Sequence, residues 1–478
     1  MMTCNLRTDS PQDISYLPRI VIKFLDSLNL QRSEVSEAGY LFPVNEIIAW
    51  EFLFQQFPGI CIKKLFTSVE PERITGWVRK ARYLDPAFQP PDFQNYFAID
   101  CPHGIQLDAL LNRILTFSSV EQAYMEYGPN FPPNSNSWKY MVGMNQGYLN
   151  AAPDGIDAKY AWHFSGGDGK GKVRFIDLEK GWILHHEAVN VGLLPDTGMN
   201  HGSYTDHGAG VLGIIMMQQN EMGGIGITPK AQGYIMSQWR PDGSHNTADA
   251  VMASIAHLHF GDILLLEAQT ADSTENKNLW PVEIRPAIFS TIRLATALGI
   301  IVIEAGGNGN LQLNMGNDLD EFESAGKKIL NPTSADFRDS GAILVAASSH
   351  FAPHTRMPYS NYGNRFNCYA CGEGVLTAGN CQGSSEDETH CYTLRFGGTS
   401  CASAIIAGAA IAVQSLMEAN YYCRLSPVQM RQILSDDAYG SSSMDGRHTD
   451  KIGVMPDLKK IIDLALRVTR PGIKKLAS

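Results

Sequence analysis

A serine that follows two glycines and opens an apolar helix pattern is the first candidate for chemistry in this chain. Gly397 and Gly398 precede Thr399 and Ser400, and mostly small or apolar residues continue to Ala410. Glycines permit a tight turn, and the first turn of a helix offers unpaired N–H groups to a developing oxyanion. The pattern indicates a nucleophile, and its alternative is a serine that only caps a core helix.

A nucleophilic serine needs a base, a carboxylate that orients the base and a donor for the oxyanion. Asp177 ends an apolar strand pattern, His207 begins a small-residue helix pattern, and Asn308 follows a hydrophobic strand pattern and two glycines. Each has a structural alternative, namely a loop-capping aspartate, a structural histidine and a Gly-Asn turn. Their order before Ser400 favours acyl transfer to the serine followed by hydrolysis.

These motifs make the sequence resemble the subtilisin-like serine peptidases (subtilases) over roughly residues 150–465. The family motif Gly-Thr-Ser-x-Ala-Ser is present at 398–403, and Ala404 replaces the proline that usually follows. Two other motifs depart further from the family pattern. The family's His-Gly-Thr-His is reduced to His-Gly at 207–208, and its usual Asp-Ser/Thr-Gly reads Asp-Leu-Glu at 177–179.

The resemblance assigns a role to each candidate residue. It implies that Ser400 is the nucleophile, that His207 is the general base and then acid, and that Asp177 orients His207. It also implies that Asn308 completes an oxyanion hole with the backbone N–H of Ser400.

Four further residues fall where the family binds its substrate. Glu267 and Ala268 follow one apolar run, and Glu304 and Gly306 end another. By resemblance they line the pocket for the side chain that precedes the cut bond, where two carboxylates favour lysine or arginine. The alternatives are that the glutamates share a proton or lie buried behind the strand. They also suggest the related sedolisin peptidases with a Ser-Glu-Asp set, but the retained His207 argues against that branch.

The segments that must position these residues predict the fold. Continuous aliphatic runs at 263–266, 300–303 and 343–346 are typical of buried parallel strands, and helical patterns lie between them. We therefore expect an α/β peptidase domain at residues 150–466, a doubly wound parallel sheet with helices on both faces.

A smaller domain is predicted before the peptidase. Strand and helix patterns alternate through residues 15–128, which indicates a small α+β domain. Because subtilases commonly carry an inhibitory propeptide at this place, the resemblance implies that role, and a permanent accessory domain is the alternative. We expect residues 129–149 to be an exposed linker with an autoprocessing site. Residues 1–14 read as a disordered N-terminus and 467–478 as a basic tail.

The composition limits which binding partners and which cellular compartment we expect. The chain has 478 residues, 44% of them hydrophobic, and a net charge of −11, which argues against nucleic acid or an anionic membrane surface as a partner. No apolar run is long enough to predict a membrane span, and the first residues lack the apolar core of a signal peptide. We expect a cytoplasmic protein, with export by a non-Sec route as the alternative. The expected partners are a protein or peptide substrate and the chain's own N-terminal domain as inhibitor.

The predicted chemistry requires no cofactor. Asp318 and Asp320 are candidates for a structural calcium site, and a solvated acidic loop is the alternative. Four clustered cysteines leave zinc, disulfides and free thiols open: Cys368, Cys371, Cys381 and Cys391.

The sequence therefore predicts a serine endopeptidase that is made as an autoinhibited precursor. Two alternatives stay open. The first is a catalytically silent subtilase fold that binds proteins as a scaffold. The second is an acyl-transfer enzyme, an esterase or a ligase, that uses the same serine.

Overall fold

A computed structural model describes most of the chain: residues 17–28, 46–127, 146–219, 224–272, 278–310, 312–379 and 388–469. The predicted N-terminal segment 1–14, most of the predicted linker 129–149, Cys381 and the tail beyond residue 469 lie outside these described residues.

Among its described residues, the N-terminal part has four strands and three α-helices: β1 (Arg19–Phe24), α1 (Ile47–Gln56), β2 (Cys61–Lys64), α2 (Pro71–Leu84), β3 (Tyr96–Asp100), α3 (Leu107–Ile114) and β4 (Val120–Glu126). The strands form an antiparallel sheet in the order β2-β3-β1-β4. The strand β2 and the helix α2 were not predicted from the sequence. In α1, Trp50 and Leu53 are buried, whereas Ile48 and Phe52 are exposed.

The remaining elements build the second part: α4 (Ala158–Ala161), β5 (Arg174–Glu179), α5 (Thr205–Met216), β6 (Gln232–Ser237), α6 (Thr247–Ile255), β7 (Ile263–Leu266), β8 (Gln269–Ala271), β9 (Asn278–Pro281), α7 (Pro286–Ala297), β10 (Ile301–Ala305), β11 (Gly309–Asn310), β12 (Ile343–Ser348), β13 (Cys368–Cys371), β14 (Val375–Ala378), β15 (Tyr392–Phe396), α8 (Thr399–Tyr421), α9 (Pro427–Leu434), β16 (Gly440–Ser441), α10 (Gly446–Asp450), β17 (Met455–Pro456) and α11 (Leu458–Thr469).

A six-stranded parallel sheet lies at the centre of this part, in the order β13-β12-β10-β7-β5-β6. Its strands are buried on both faces, which is why the aliphatic runs in the sequence are continuous rather than alternating. The predicted α/β fold with helices on both faces is confirmed.

The alternation of side chains along β5 decides which residues reach the candidate site. Phe175 packs into the core that contains the buried residues of α5 and α8, whereas Ile176 and Leu178 pack on the opposite face with α6 and α7. Successive side chains of a strand point to opposite faces. Asp177 and Glu179 therefore both point to the face that carries α5 and α8.

The N-terminal sheet packs against the peptidase part through its own alternation. Ile20 and Ile22 face the small core under α1 and α3, whereas Val21 joins the hydrophobic core of α6 and α7. The two parts thus share one continuous apolar core, and the helices α6 and α7 form the surface on which the smaller part rests.

Helix α8 is long and apolar enough to span a membrane, and within the described ranges it is the single helix that meets this criterion. Its most apolar window is 94% buried inside the protein. It is therefore the central core helix, in contact with α5 and with the strands β7, β10, β12 and β13.

Candidate active site

Ser400 lies in the first turn of α8, at one end of the central sheet. Gly398 precedes the helix with a φ of +93°, a conformation that favours glycine. The Ser400 side chain borders a pocket, which we call the Ser400 pocket, lined by Glu179, Lys180, His207, Glu267, Ala268, Gln269, Ala305, Asn308, Thr399 and Ser400. The turn and helix expected around the serine are present.

His207 lies in the first turn of α5 and reaches the same pocket. Gly208 allows this approach, because a Cβ added there would lie 2.3 Å from the carbonyl oxygen of Gly181 and 2.5 Å from Trp182 Cδ1. The imidazole packs on Phe396, with ring centroids 5.5 Å apart. The small residue after the histidine therefore brings α5 close to the end of β5.

The carboxylate that contacts the histidine is Glu179. His207 Nδ1 hydrogen-bonds Glu179 Oε2, and the other oxygen of Glu179 accepts from the backbone N–H of Lys180 at 2.8 Å. The side chain of Glu179 is 2% exposed. The prediction that Asp177 contacts His207 is wrong, because the residue two positions further along the same face of β5 makes that contact.

Asp177 has a different partner. Its Oδ2 accepts from Trp182 Nε1 at 2.7 Å, and its Oδ1 has no hydrogen-bond partner among the described residues. Complete burial raises the pKa of Asp177 well above the usual range, and the neighbouring charge of Glu179 adds to the effect. Because Asp177 bonds Trp182 and its burial disfavours the charged form that an imidazolium needs, it is poorly suited to the role predicted for it.

Asn308 is held in an orientation that leaves its amide nitrogen available. Its Oδ1 accepts from the backbone N–H of Thr399 at 2.9 Å and from Thr399 Oγ1 at 3.1 Å. Its own backbone N–H donates to Gln269 Oε1 at 3.1 Å. Since the amide oxygen is occupied, the Nδ2 group is the part of Asn308 that can donate within the Ser400 pocket.

The two predicted pocket glutamates have different environments. Glu267 and Ala268 line the Ser400 pocket as expected. Glu304 does not, because it lies on the opposite face of β10, where its Oε1 accepts from the backbone N–H of Glu283 at 3.0 Å. Burial raises the pKa of both glutamates well above the usual range. The expected pair of carboxylates for a lysine or arginine side chain is therefore not formed.

Gly306 also lies away from the pocket lining. Its N–H donates to the carbonyl oxygen of Val345 at 2.9 Å, and an added Cβ would lie 2.2 Å from Phe366 Cε1. Its lack of a side chain serves the packing of β10 beside β12. The pocket lining that was not predicted from the sequence includes Gln269, which accepts from the backbone N–H of Asn308, and Lys180, whose burial lowers its pKa to about 8.

The predicted calcium ligands are engaged by protein groups. Asp320 accepts from Asn364 Nδ2 at 2.7 Å and from Lys451 Nζ at 2.9 Å, and Asp318 Oδ1 accepts from the backbone N–H of Asp320 at 3.0 Å. Lys451 thus supplies the positive charge at Asp320. In the described part of the chain, no group of three or more His, Cys, Asp or Glu side chains is arranged to hold a metal.

The clustered cysteines are in two states. Cys391 is disulfide-bonded, whereas Cys368 and Cys371 are buried, reduced thiols, and Cys368 Sγ donates to the carbonyl oxygen of Leu434 at 3.4 Å. Cys401, beside the serine, is also a free and fully buried thiol. Cys368 and Cys371 belong to β13, which accounts for their place in the core.

Comparisons with known proteins identify the family of the chain. The model of the subtilase family (Peptidase_S8) matches residues 185–457, which is more than half of the chain. The chain belongs to the subtilase family. Membership of this family supports serine peptidase activity in general. The match begins after β5, so it does not include the segment in which Glu179 replaces the family's glycine.

Two solved structures are similar to this subtilase. Fervidolysin from Fervidobacterium pennivorans, described as a keratinolytic enzyme related to subtilisin, has a TM-score of 0.51 and 15% identity, over 81% of this chain and 59% of fervidolysin. This chain therefore spans less than two thirds of the length of fervidolysin, and the likeness concerns the fold. PagA, described as a prenylagaramide maturation protease, has a TM-score of 0.45 and 19% identity, over 64% of this chain and 97% of PagA. No curated protein matches the chain.

Proposed function

We propose that this subtilase is a serine endopeptidase in which Ser400 is the nucleophile, His207 the general base and Glu179 the carboxylate that orients the base. The observation that carries the proposal is the meeting of Ser400, Asn308 and the His207–Glu179 pair in one pocket. No cofactor is needed for this reaction.

The hydrogen bond between His207 and Glu179 supports a proton path for the proposed reaction. Because Glu179 occupies Nδ1 of His207, Nε2 is left to take the hydroxyl proton of Ser400 while Oγ attacks the carbonyl carbon of the peptide bond. The buried carboxylate of Glu179 stabilises the imidazolium. The oxyanion accepts from Asn308 Nδ2 and from the backbone N–H of Ser400. His207 then gives its proton to the leaving amine, and a water activated by His207 hydrolyses the acyl-enzyme.

Autoinhibition by the N-terminal part is the second element of the proposal. The chain leaves β4 beside β8, where the guanidinium of Arg285 lies 5.5 Å from the ring centroid of Tyr127. Arg285 also donates to Thr270 Oγ1 at 3.1 Å and to the carbonyl oxygen of Ala271. Strand β8 is the outer strand of its small sheet and follows the pocket residue Ala268. These contacts bring the end of the N-terminal part beside the strand that follows the pocket residues, which supports the proposed inhibitory role.

The proposal is tested on the full chain with a fluorophosphonate probe, which reacts covalently with an activated serine. We expect labelling of the wild type and none of Ser400→Ala, together with hydrolysis of a denatured protein substrate. Mass spectrometry of the same sample is expected to find a cut within the linker predicted at 129–149. A wild type that is neither labelled nor cut would favour the scaffold, and labelling without peptide hydrolysis would favour the esterase or ligase.

A further inference from the structure

Glu267 is a buried carboxyl group beside the proposed nucleophile that the reaction above does not use. It follows β7, is 4% exposed and lines the Ser400 pocket. Its neighbours are Asp177 and Glu179 on β5 and Ser400 and Ser403 in the first turns of α8. A carboxyl in such a place affects the serine through its charge and its hydrogen bonds.

The hydrogen bonds of Glu267 are incomplete. Its Oε1 is 2.6 Å from Ser403 Oγ, and that hydroxyl is also 2.9 Å from the carbonyl oxygen of Thr399 and 3.0 Å from that of Ser400. One hydroxyl hydrogen cannot fully serve three acceptors. The Oε2 of Glu267 is buried and has no hydrogen-bond partner among the described residues. An ionised carboxylate with so few donors is poorly solvated.

The charges around Glu267 also oppose ionisation. Asp177 and Glu179 are carboxyl groups, Cys401 is a buried thiol, and Lys180 and His207 reach the pocket from its other wall. In the part of the chain that the structure describes, no cation pairs with Glu267. Burial raises its pKa well above the usual range, and the repulsion from Asp177 adds to this. Burial, the unpartnered Oε2 and the nearby carboxyl groups therefore all favour the neutral acid over the carboxylate.

We propose that Glu267 is a positioning residue for Ser400, which reacts only while the Glu267 carboxyl is uncharged. A neutral carboxyl leaves the Ser400 hydroxyl free to donate to His207. An ionised carboxylate accepts that hydrogen and places a negative charge beside the oxyanion that forms in the pocket. This inference rests on the proposed function and adds to it an inactivation at alkaline pH.

The test measures the rate of fluorophosphonate labelling of the full chain across acidic, neutral and alkaline pH. Four proteins are compared: wild type, Glu267→Gln, Ser403→Ala and Lys180→Arg. Glutamine keeps the shape of the side chain and does not ionise. Arginine keeps the charge of Lys180 across the range, so this variant shows whether the lysine causes the alkaline loss. Circular dichroism checks that each variant is folded.

We expect the wild-type rate to fall about tenfold per pH unit on the alkaline side, as for one ionisation. This alkaline fall in the labelling rate should be absent in Glu267→Gln and should occur at the same pH in Lys180→Arg as in the wild type. It should move to higher pH in Ser403→Ala, because the lost hydroxyl no longer stabilises the carboxylate. The same alkaline fall in Glu267→Gln, a fall that moves in Lys180→Arg, or no fall in the wild type would overturn the inference alone. A wild type that is unlabelled at every pH refutes the proposed function and this inference with it.

Discussion

The carboxylate of Asp249 hydrogen-bonds across the contact between the N-terminal part and the peptidase part. Its removal should weaken the packing of these two parts. One oxygen of Asp249 accepts from the backbone N–H groups of Thr67 at 2.9 Å and of Ser68 at 3.1 Å. The other accepts from Ser68 Oγ and from Arg240 Nε, the latter at 3.1 Å. Asp249 is fully buried and Arg240 is 1% exposed. The variant Asp249→Ala leaves a buried guanidinium without its carboxylate.

The expected loss of stability in Asp249→Ala follows from the charge and the N–H groups that lose their partner. Removing one partner of a buried ion pair costs about 3–5 kcal/mol, since the other charge stays buried and unpaired. The backbone N–H groups of Thr67 and Ser68 lose their acceptor as well, although Arg240 keeps bonds to carbonyl oxygens, including that of Asp196 at 3.1 Å. We therefore expect a loss of about 3–5 kcal/mol in the free energy of unfolding of the full chain. Looser docking should also raise the rate of Ser400 labelling, if the N-terminal part restrains the site.

A control at the same interface separates this effect from general charge loss. Lys63 and Asp242 form an ion pair at 3.0 Å, and their side chains are 32% and 40% exposed. Such a pair contributes about 0–1 kcal/mol, so Asp242→Asn should barely change denaturant unfolding. The reasoning would be refuted if Asp249→Ala lost no more stability than Asp242→Asn.

Two further variants test other parts of the site. We expect Asn308→Leu to lower kcat by about 10²–10³-fold with little change in KM, because the lost Nδ2 donor acts on the oxyanion. If KM instead rose by that factor and kcat were unchanged, Asn308 would be assigned to substrate binding. We expect Gly208→Ala to reduce the labelling rate and the melting temperature, since its Cβ would meet Gly181 and Trp182 below the closest normal contact; wild-type labelling by this variant would show that α5 tolerates displacement.

The sequence predicted the fold because its signals are local. Buried parallel strands need unbroken aliphatic runs, and the runs at 263–266 and 300–303 became β7 and β10. The first turns that carry His207 and Ser400 were likewise visible as small-residue helix patterns. The strand β2 was missed because its four residues are too few to show an alternation. Helix α2 was missed although Ile74, Trp77 and Ala81 follow a helical spacing, because charged residues dominate the rest of the segment.

The acid of the triad was not predictable from the resemblance. The family places an aspartate at position 177, but in this chain Trp182 takes that carboxyl and Glu179 reaches the histidine. One signal was present in the sequence: a glutamate stands where the family has a glycine, two residues along and hence on the same strand face. The place of Glu304 could not be found this way, because only the packed structure shows that β10 turns its side chain toward Glu283.

The most direct test of the account compares kcat for Glu179→Gln and Asp177→Asn in the activated enzyme, with Ser400→Ala as the inactive reference. If Glu179 orients and stabilises the His207 imidazolium, Glu179→Gln should lower kcat by about 10³–10⁴, as loss of the triad carboxylate does in serine peptidases. Asp177→Asn should stay within about threefold of wild type, because an asparagine oxygen still accepts from Trp182 and burial already disfavours the charged form of the native carboxyl. The reverse result, with Asp177→Asn the damaging change, would contradict the assignment of Glu179.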